Sequence, residues 1–297
     1  MTKSRKNRKR MSDARFVFFG TPARACDFLD LLEKSGLVPS LIITTPDTVR
    51  GRGMEVSAPP VKDWAQARGI SVIQPEEFGE KEAAALRAAA SDVFVVIYYG
   101  KVLPREILDI PEHGVLNIHF SLLPRWRGTS PVRAAIANND KEVGTSIILL
   151  DEKIDHGPLV AQKRISVPQW PPKASELEDR ATQESAKLLI EILPSWLRGD
   201  IEARPQNHDV ATMCPKYTKE DGRLDLSADA YQNLLKIRAF DTTVGTHSFF
   251  ERGGKKIRVG ILDAHIEGTK LILDTVKPEG KKEMPYEEFL RSGAIPH

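Results

Sequence analysis

DVFVVIYYG, residues 92–100, decides the fold class, because from Val93 to Ile97 every residue is apolar and nearly all are β-branched or aromatic. A strand with no polar alternation is covered on both faces and belongs in the middle of a parallel sheet. Working outward, the same strand type recurs in RFVFFG (15–20), SLIITT (40–45), SVIQ (71–74), GVLNIHF (114–120) and GTSIILL (144–150). Between them lie runs of helical period: PARACDFLDLLEKSG (22–36), PPVKDWAQARG (59–69), EKEAAALRAAA (80–90) and a segment over 131–138. This alternation predicts an α/β fold with an open, mostly parallel, Rossmann-like sheet and right-handed crossovers. SELEDRATQESAKLLIEILPSWLRG (175–199) predicts a long helix, capped at Ser175 with Glu178 completing a capping box, and kinked or split at Pro194.

Past that helix the pattern changes. Residues 200–216 have no clear period and read as a linker. After one helix over 228–240, short strands (THSFFE, KKIRVGILDAHIE, TKLILDTV) are separated by glycine turns at Gly253-Gly254 and Gly268. That spacing predicts a small C-terminal β-barrel, OB-like in kind. The expected organisation is a basic disordered tail over 1–14, a catalytic domain over 15–199, a linker over 200–216 and the barrel over 217–297.

Of the 297 residues, 41% are hydrophobic and 28% charged, which excludes fibrous and disordered classes. Two cysteines, Cys26 and Cys214, without C-x-x-C spacing speak against a disulfide scaffold and a structural zinc site. No apolar run reaches the roughly 18 to 20 residues that cross a bilayer, so the expectation is a cytoplasmic protein with no membrane partner. The first ten residues, MTKSRKNRKR, carry six Lys and Arg and no acid, while the net charge is only +2, so the remainder is mildly acidic. Contact with a polyanion then falls to the tail and to local patches.

The chain has no GxxxxGK[ST], and its one G-x-G, Gly51-Arg52-Gly53, lacks the third glycine of a dinucleotide fingerprint. Its seven histidines show no ligand spacing, so no metal is expected. The informative stretch is GVLNIHFSLLPRWRGTSP (114–131). On a strand, Asn117 and His119 share one side, in a run otherwise apolar up to Phe120 and close to the strand end where open α/β sheets bind ligands. Two readings stand side by side: the pair satisfies neighbouring backbone groups, or it faces a substrate. LLDEKIDHGPLV (149–160) adds Asp151, Glu152, Asp155 and His156 in a loop between apolar strands. A carboxylate facing an imidazole, beside an amide that donates to a developing oxyanion, would suit acyl transfer to an amine.

These residues resemble the folate-dependent formyltransferases, whose Asn-x-His-x-Ser-Leu-Leu-Pro motif is matched by residues 117–124 and whose later Asp is matched by Asp155, 36 residues after His119. The resemblance runs from about residue 15 to 292. It is strongest toward the branch that formylates methionine on initiator tRNA, through FFGTP (18–22), TTPDTVRGRG (44–53), VVIYYGKVLP (95–104), YTKEDGRLDL (217–226) and IRAFD (237–241). It implies Asn117, His119 and Asp155 as the catalytic set. It implies Gly100, Ser121, Leu122, Leu123 and Pro124 near the donor 10-formyltetrahydrofolate, and Arg50, Arg52, Lys255, Lys256 and Arg258 against tRNA. A monomer is expected. The competing expectations are an N-formyltransferase acting on the amine of a sugar nucleotide and a noncatalytic RNA-binding relative.

Overall fold

The computed structural model describes residues 14–50, 55–293 and 295–296, with the side chains of Val49, Arg50, Glu55 and Pro296 outside that description. The basic tail over residues 1–13, Arg52 and the Arg50 side chain therefore lie outside the described residues. In chain order the strands are β1 (Phe16–Phe19), β2 (Leu41–Ile43), β3 (Thr48–Arg50), β4 (Glu55–Ser57), β5 (Val72–Ile73), β6 (Val93–Val96), β7 (Val115–His119), β8 (Gly144–Leu149) and β9 (Leu159–Arg164), then β10 (Thr246–Arg252), β11 (Lys255–Glu267), β12 (Lys270–Pro278), β13 (Met284–Pro285) and β14 (Ile295–Pro296). The helices are α1 (Ala23–Lys34), α2 (Pro60–Gln66), α3 (Glu80–Ala88), α4 (Arg105–Leu108), α5 (Pro131–Ala137), α6 (Ala174–Leu197), α7 (Ala230–Ala239) and α8 (Tyr286–Leu290). The chain divides into two compact units. Among the described residues, one comprises those up to Arg127 with Gly144–Ile165 and Arg180–Thr212; the other comprises Gly128–Val143, Ser166–Asp179 and those from Met213 onward.

The first unit is built on a seven-stranded sheet in the order β5-β2-β1-β6-β7-β8-β9. The strands from β5 to β7 run parallel, and β8 pairs antiparallel with β7 on one side and with β9 on the other. This is the open, mostly parallel sheet that the alternating pattern predicts. Strands β1 and β6 are buried at every position, which explains their unbroken apolar sequences. Phe19 packs on Phe94 and Tyr99 at ring separations of 5.4 and 5.5 Å, while Phe18 on the opposite face stacks on Phe28 of α1 at 6.3 Å. Gly20 ends β1 because a Cβ there would lie 2.6 Å from the Phe18 ring. The stretch after β2 is more ordered than its irregular sequence suggests, since Thr48–Arg50 pairs antiparallel with Glu55–Ser57.

Helix α6 corrects two local expectations. It runs unbroken through Pro194 rather than splitting there. The proline sits in the last turn, so its missing N–H removes one bond from a helix that ends three residues later. The expected capping box is shifted: the backbone N–H of Lys173 donates to Glu176 Oε2 at 3.2 Å, and Ser175 binds the Asp241 carboxylate. Glu178 pairs instead with Arg133 at 2.8 Å, with side-chain exposures of only 8% and 12%.

The second unit carries a five-stranded antiparallel sheet ordered β13-β12-β11-β10-β14, the small barrel-like element read from the glycine-punctuated strands. Irregular pairing from Ile261 to Ala264 bulges the long strand β11, and a bulge of this kind bends a strand and increases its twist. Leu224, Ile237, Phe250, Val259, Ile261, Val276 and Phe289 close its core.

Candidate active site

Strand β7 places the polar pair. Its register sets Asn117 opposite Ile148 and His119 opposite Ser146, so both side chains stand on one face of the sheet. His119 ends the strand and is 5% exposed. Its Nε2 lies 2.9 Å from the carbonyl oxygen of Trp126, which turns residues 119–126 into a closed loop. Trp126 reaches that geometry with a φ of 58°.

The loop is fastened from within and from below. Ser121 Oγ donates to the Arg125 carbonyl at 2.7 Å. Ser146, on β8, donates from Oγ to the Ser121 carbonyl at 2.7 Å and accepts from the Leu123 N–H at 3.1 Å. Gln162 on β9 donates to the Leu123 carbonyl and to Ser146 Oγ, both at 2.9 Å. Gly144 starts β8 because a Cβ would sit 2.4 Å from Leu122 Cδ2 and from the Lys163 carbonyl. Leu123 and Ser121 are buried, whereas Leu122 and Pro124 are half-buried. Gly100 lies beyond β6 with a φ of 78° and open space where a side chain would be.

Asp155 arrives on the 151–157 loop. Its Oδ1 accepts from Asn117 Nδ2 at 3.2 Å and its Oδ2 lies 3.4 Å from His119 Nδ1. The amide, the imidazole and the carboxylate, which the sequence alone could not bring together, thus meet in one place. Asp155 adopts a φ of 46°, a left-handed conformation that Asp tolerates better than most residues. Two residues on, Gly157 is required for space: a Cβ would be 1.8 Å from the Leu149 carbonyl oxygen, where the loop closes against the end of β8.

Each nitrogen of His119 faces an oxygen, Nε2 that of Trp126 and Nδ1 that of Asp155. The carboxylate in turn takes one of the two N–H groups of the Asn117 amide. A hydrogen bond to a charged group of this sort is worth about 1.5–3 kcal/mol. Two further imidazoles stand beside the set. His156 Nδ1 lies 2.6 Å from Asp151 Oδ2, and its ring stacks on His208 with centroids 4.0 Å apart. Partial desolvation, the neighbouring His156 and the Arg127 charge hold the His208 imidazole below its ordinary pKa.

Sequence reading passed over Arg127, Gln206 and His208. Arg127 and Gln206 are 7% and 4% exposed and hydrogen-bonded to one another. Gln206 and His208 fall in the stretch without periodicity, where a single polar residue gives no signal. Residues 200–212 belong to the first compact unit, and Arg204 pairs with Leu159 through two backbone hydrogen bonds of 2.7 and 2.8 Å. Lys255, Lys256 and Arg258 are all exposed on β11 in the second unit, with the Lys256 ammonium 4.6 Å from the Phe249 ring centre. Among the described residues no cluster of three or more His, Cys, Asp or Glu is placed to hold a metal ion, and no helix is long and apolar enough to cross a membrane.

Comparison with known proteins agrees with this fold. The formyl transferase family profile matches residues 14–193. Methionyl-tRNA formyltransferase of Myxococcus xanthus is 37% identical, over 95% of this chain and 96% of its own. The enzyme of the same name from Thermotoga maritima is 40% identical over 79% of this chain and 75% of its own. Among solved structures, a sugar N-formyltransferase from Shewanella shares the fold at a TM-score of 0.60 and 18% identity, covering 89% of this chain and 99% of that one. Methionyl-tRNA formyltransferase from Clostridium thermocellum does so at 0.60 and 16%, covering 89% and 98%. The chain belongs to the formyl transferase family, among its methionyl-tRNA formyltransferases.

Proposed function

We propose that the chain transfers a formyl group from 10-formyltetrahydrofolate to the amino group of methionine on initiator tRNA, in the cytoplasm and as a monomer, with Asn117, His119 and Asp155 as the catalytic residues. The observation that carries this reading is the meeting of those three side chains, with Asp155 3.2 Å from the Asn117 amide and 3.4 Å from the His119 ring. The residues present suit a folate. Leu122 and Pro124 offer half-buried apolar side chains in the loop that follows His119, and Gly100 leaves open space beyond β6. Gly100 and residues 121–124 would hold the donor, which when bound supplies the formyl carbon as an activated amide.

The side chains then have distinct tasks. The second N–H of Asn117 donates to the oxygen on which negative charge grows as the amine attacks, and His119 becomes the second donor when Nε2 exchanges the Trp126 carbonyl for that oxygen. Asp155 fixes the His119 ring through Nδ1, takes up the proton that the attacking amine releases and passes it to N10 of tetrahydrofolate, which leaves as the bond between N10 and the formyl carbon breaks. The Trp126 carbonyl holds the same ring at Nε2, so the imidazole is oriented before substrate arrives. Contact with tRNA is assigned to Lys255, Lys256 and Arg258, exposed on one strand, together with Arg50 and Arg52.

The test is transfer of labelled formyl from 10-formyltetrahydrofolate to three acceptors: Met-tRNA, free methionine and an amino-sugar nucleotide. Labelling of Met-tRNA alone supports the reading. Labelling of the amino sugar in preference, or of none, overturns it.

A further inference from the structure

We infer that Arg127 and Gln206 are positioning residues, forming a buried brace that sets the approach of Asp155 to His119. This rests on the catalytic reading given above. The Gln206 amide uses its full hydrogen-bonding capacity. Nε2 donates to the Asp155 carbonyl at 2.8 Å and to the Gly157 carbonyl at 2.7 Å, while Oε1 accepts from Arg127 Nη2 at 2.7 Å and Nε at 3.3 Å. Rotating the amide by 180° would set its oxygen against two carbonyls, so the network fixes its orientation. The carbonyl oxygens of the two residues that flank His156 are thereby held by one side chain that is 4% exposed.

Arg127 joins this half of the site to the other. Its Nη2 also donates to His208 Nδ1 at 2.8 Å, and the His208 ring stacks on His156, the residue after Asp155. The residue before Arg127 is Trp126, whose carbonyl holds His119 Nε2. The segment that carries Gln206 returns to fasten the same loop. Thr212 accepts the Trp126 N–H on its hydroxyl and the Arg127 N–H on its carbonyl, both at 2.8 Å. One continuous set of bonds therefore runs from the imidazole through Trp126, Arg127 and Gln206 to the backbone of the carboxylate residue. Its members touch no reacting atom. They fix the 3.4 Å separation of His119 Nδ1 and Asp155 Oδ2. A displacement of about 1 Å at such a pair costs up to about 100-fold in rate.

Gln206→Met keeps the length and removes the hydrogen bonds; Arg127→Lys keeps the charge and removes the fork. In the full-length protein, each is expected to lower kcat about 10- to 100-fold with KM for folate and Met-tRNA within about twofold of wild type. Gln206→Met added to Asp155→Asn is expected to cause no further loss, because the brace acts through Asp155. Independently of turnover, the His119 ring signals in a ¹⁵N NMR titration are expected to move in Gln206→Met toward those of Asp155→Asn. Losses that multiply in the double variant, losses confined to KM, or unmoved His119 signals in a folded Gln206→Met protein overturn the brace. A wild type that transfers no formyl overturns the catalytic reading, and the NMR comparison then decides the brace by itself.

Discussion

His119 Nδ1 lies 3.4 Å from Asp155 Oδ2, although the two residues are 36 positions apart in the chain. The two are 6% and 12% exposed as side chains, so their interaction is little screened by water. What brings them together is a loop with almost no freedom at its end.

That end is Gly157. Gly157→Ala would put a methyl group 1.8 Å from the Leu149 carbonyl oxygen, and backbone cannot yield there as a flexible side chain would. The expected result is a loss of about 1–3 kcal/mol in chemical denaturation, as for other overpacked sites. A larger fractional loss of formyl transfer should accompany it, because the loop that must shift carries Asp155.

In the second unit, Arg133 and Glu178 form a nearly buried pair at 2.8 Å. Glu178→Leu alone leaves an uncompensated guanidinium and should cost about 3–5 kcal/mol. Adding Arg133→Met should restore most of that loss, since an apolar pair of similar volume replaces the ion pair without stranding a charge. Denaturation of the two single variants and the double variant checks the cycle.

His208 gives the site a pH dependence of defined sign. Partial desolvation, His156 and Arg127 all favour its neutral ring, so its folded pKa lies below the ordinary 6.5. The unfolded chain then binds the proton more readily, and the contribution of His208 to stability is complete above pH 6.5 and is lost as pH falls through the lowered folded value. His208→Phe keeps a ring for the stack and cannot be protonated. Its stability should fall less steeply than that of wild type between about pH 6.5 and 5, measured by denaturation at fixed pH.

Much of this was legible before any coordinates. Val93–Val96 announced a doubly covered strand because no polar residue relieves its apolar run, and Asn117 with His119 announced a site because i and i+2 share a face on a strand. Asp155 was reached through family resemblance; no local rule connects a loop carboxylate to a strand 36 residues earlier. Gln206 and Arg127 were illegible for a different reason. Their importance lies in hydrogen bonds to backbone carbonyls and to each other, which leave no periodic trace. The shifted capping box at Lys173 and Glu176 has a similar origin, since Glu178 was taken up by Arg133, a partner 45 positions away.

The most direct measurement is single-turnover formyl transfer from 10-formyltetrahydrofolate to Met-tRNA, comparing wild type with Asn117→Ala and Asp155→Asn at saturating substrates. The account predicts rapid transfer by wild type, a loss of about 10²- to 10³-fold in Asn117→Ala and a loss of about 10²- to 10⁴-fold in Asp155→Asn, with fold and substrate binding retained. Transfer within a few-fold of wild type in either folded variant would contradict it.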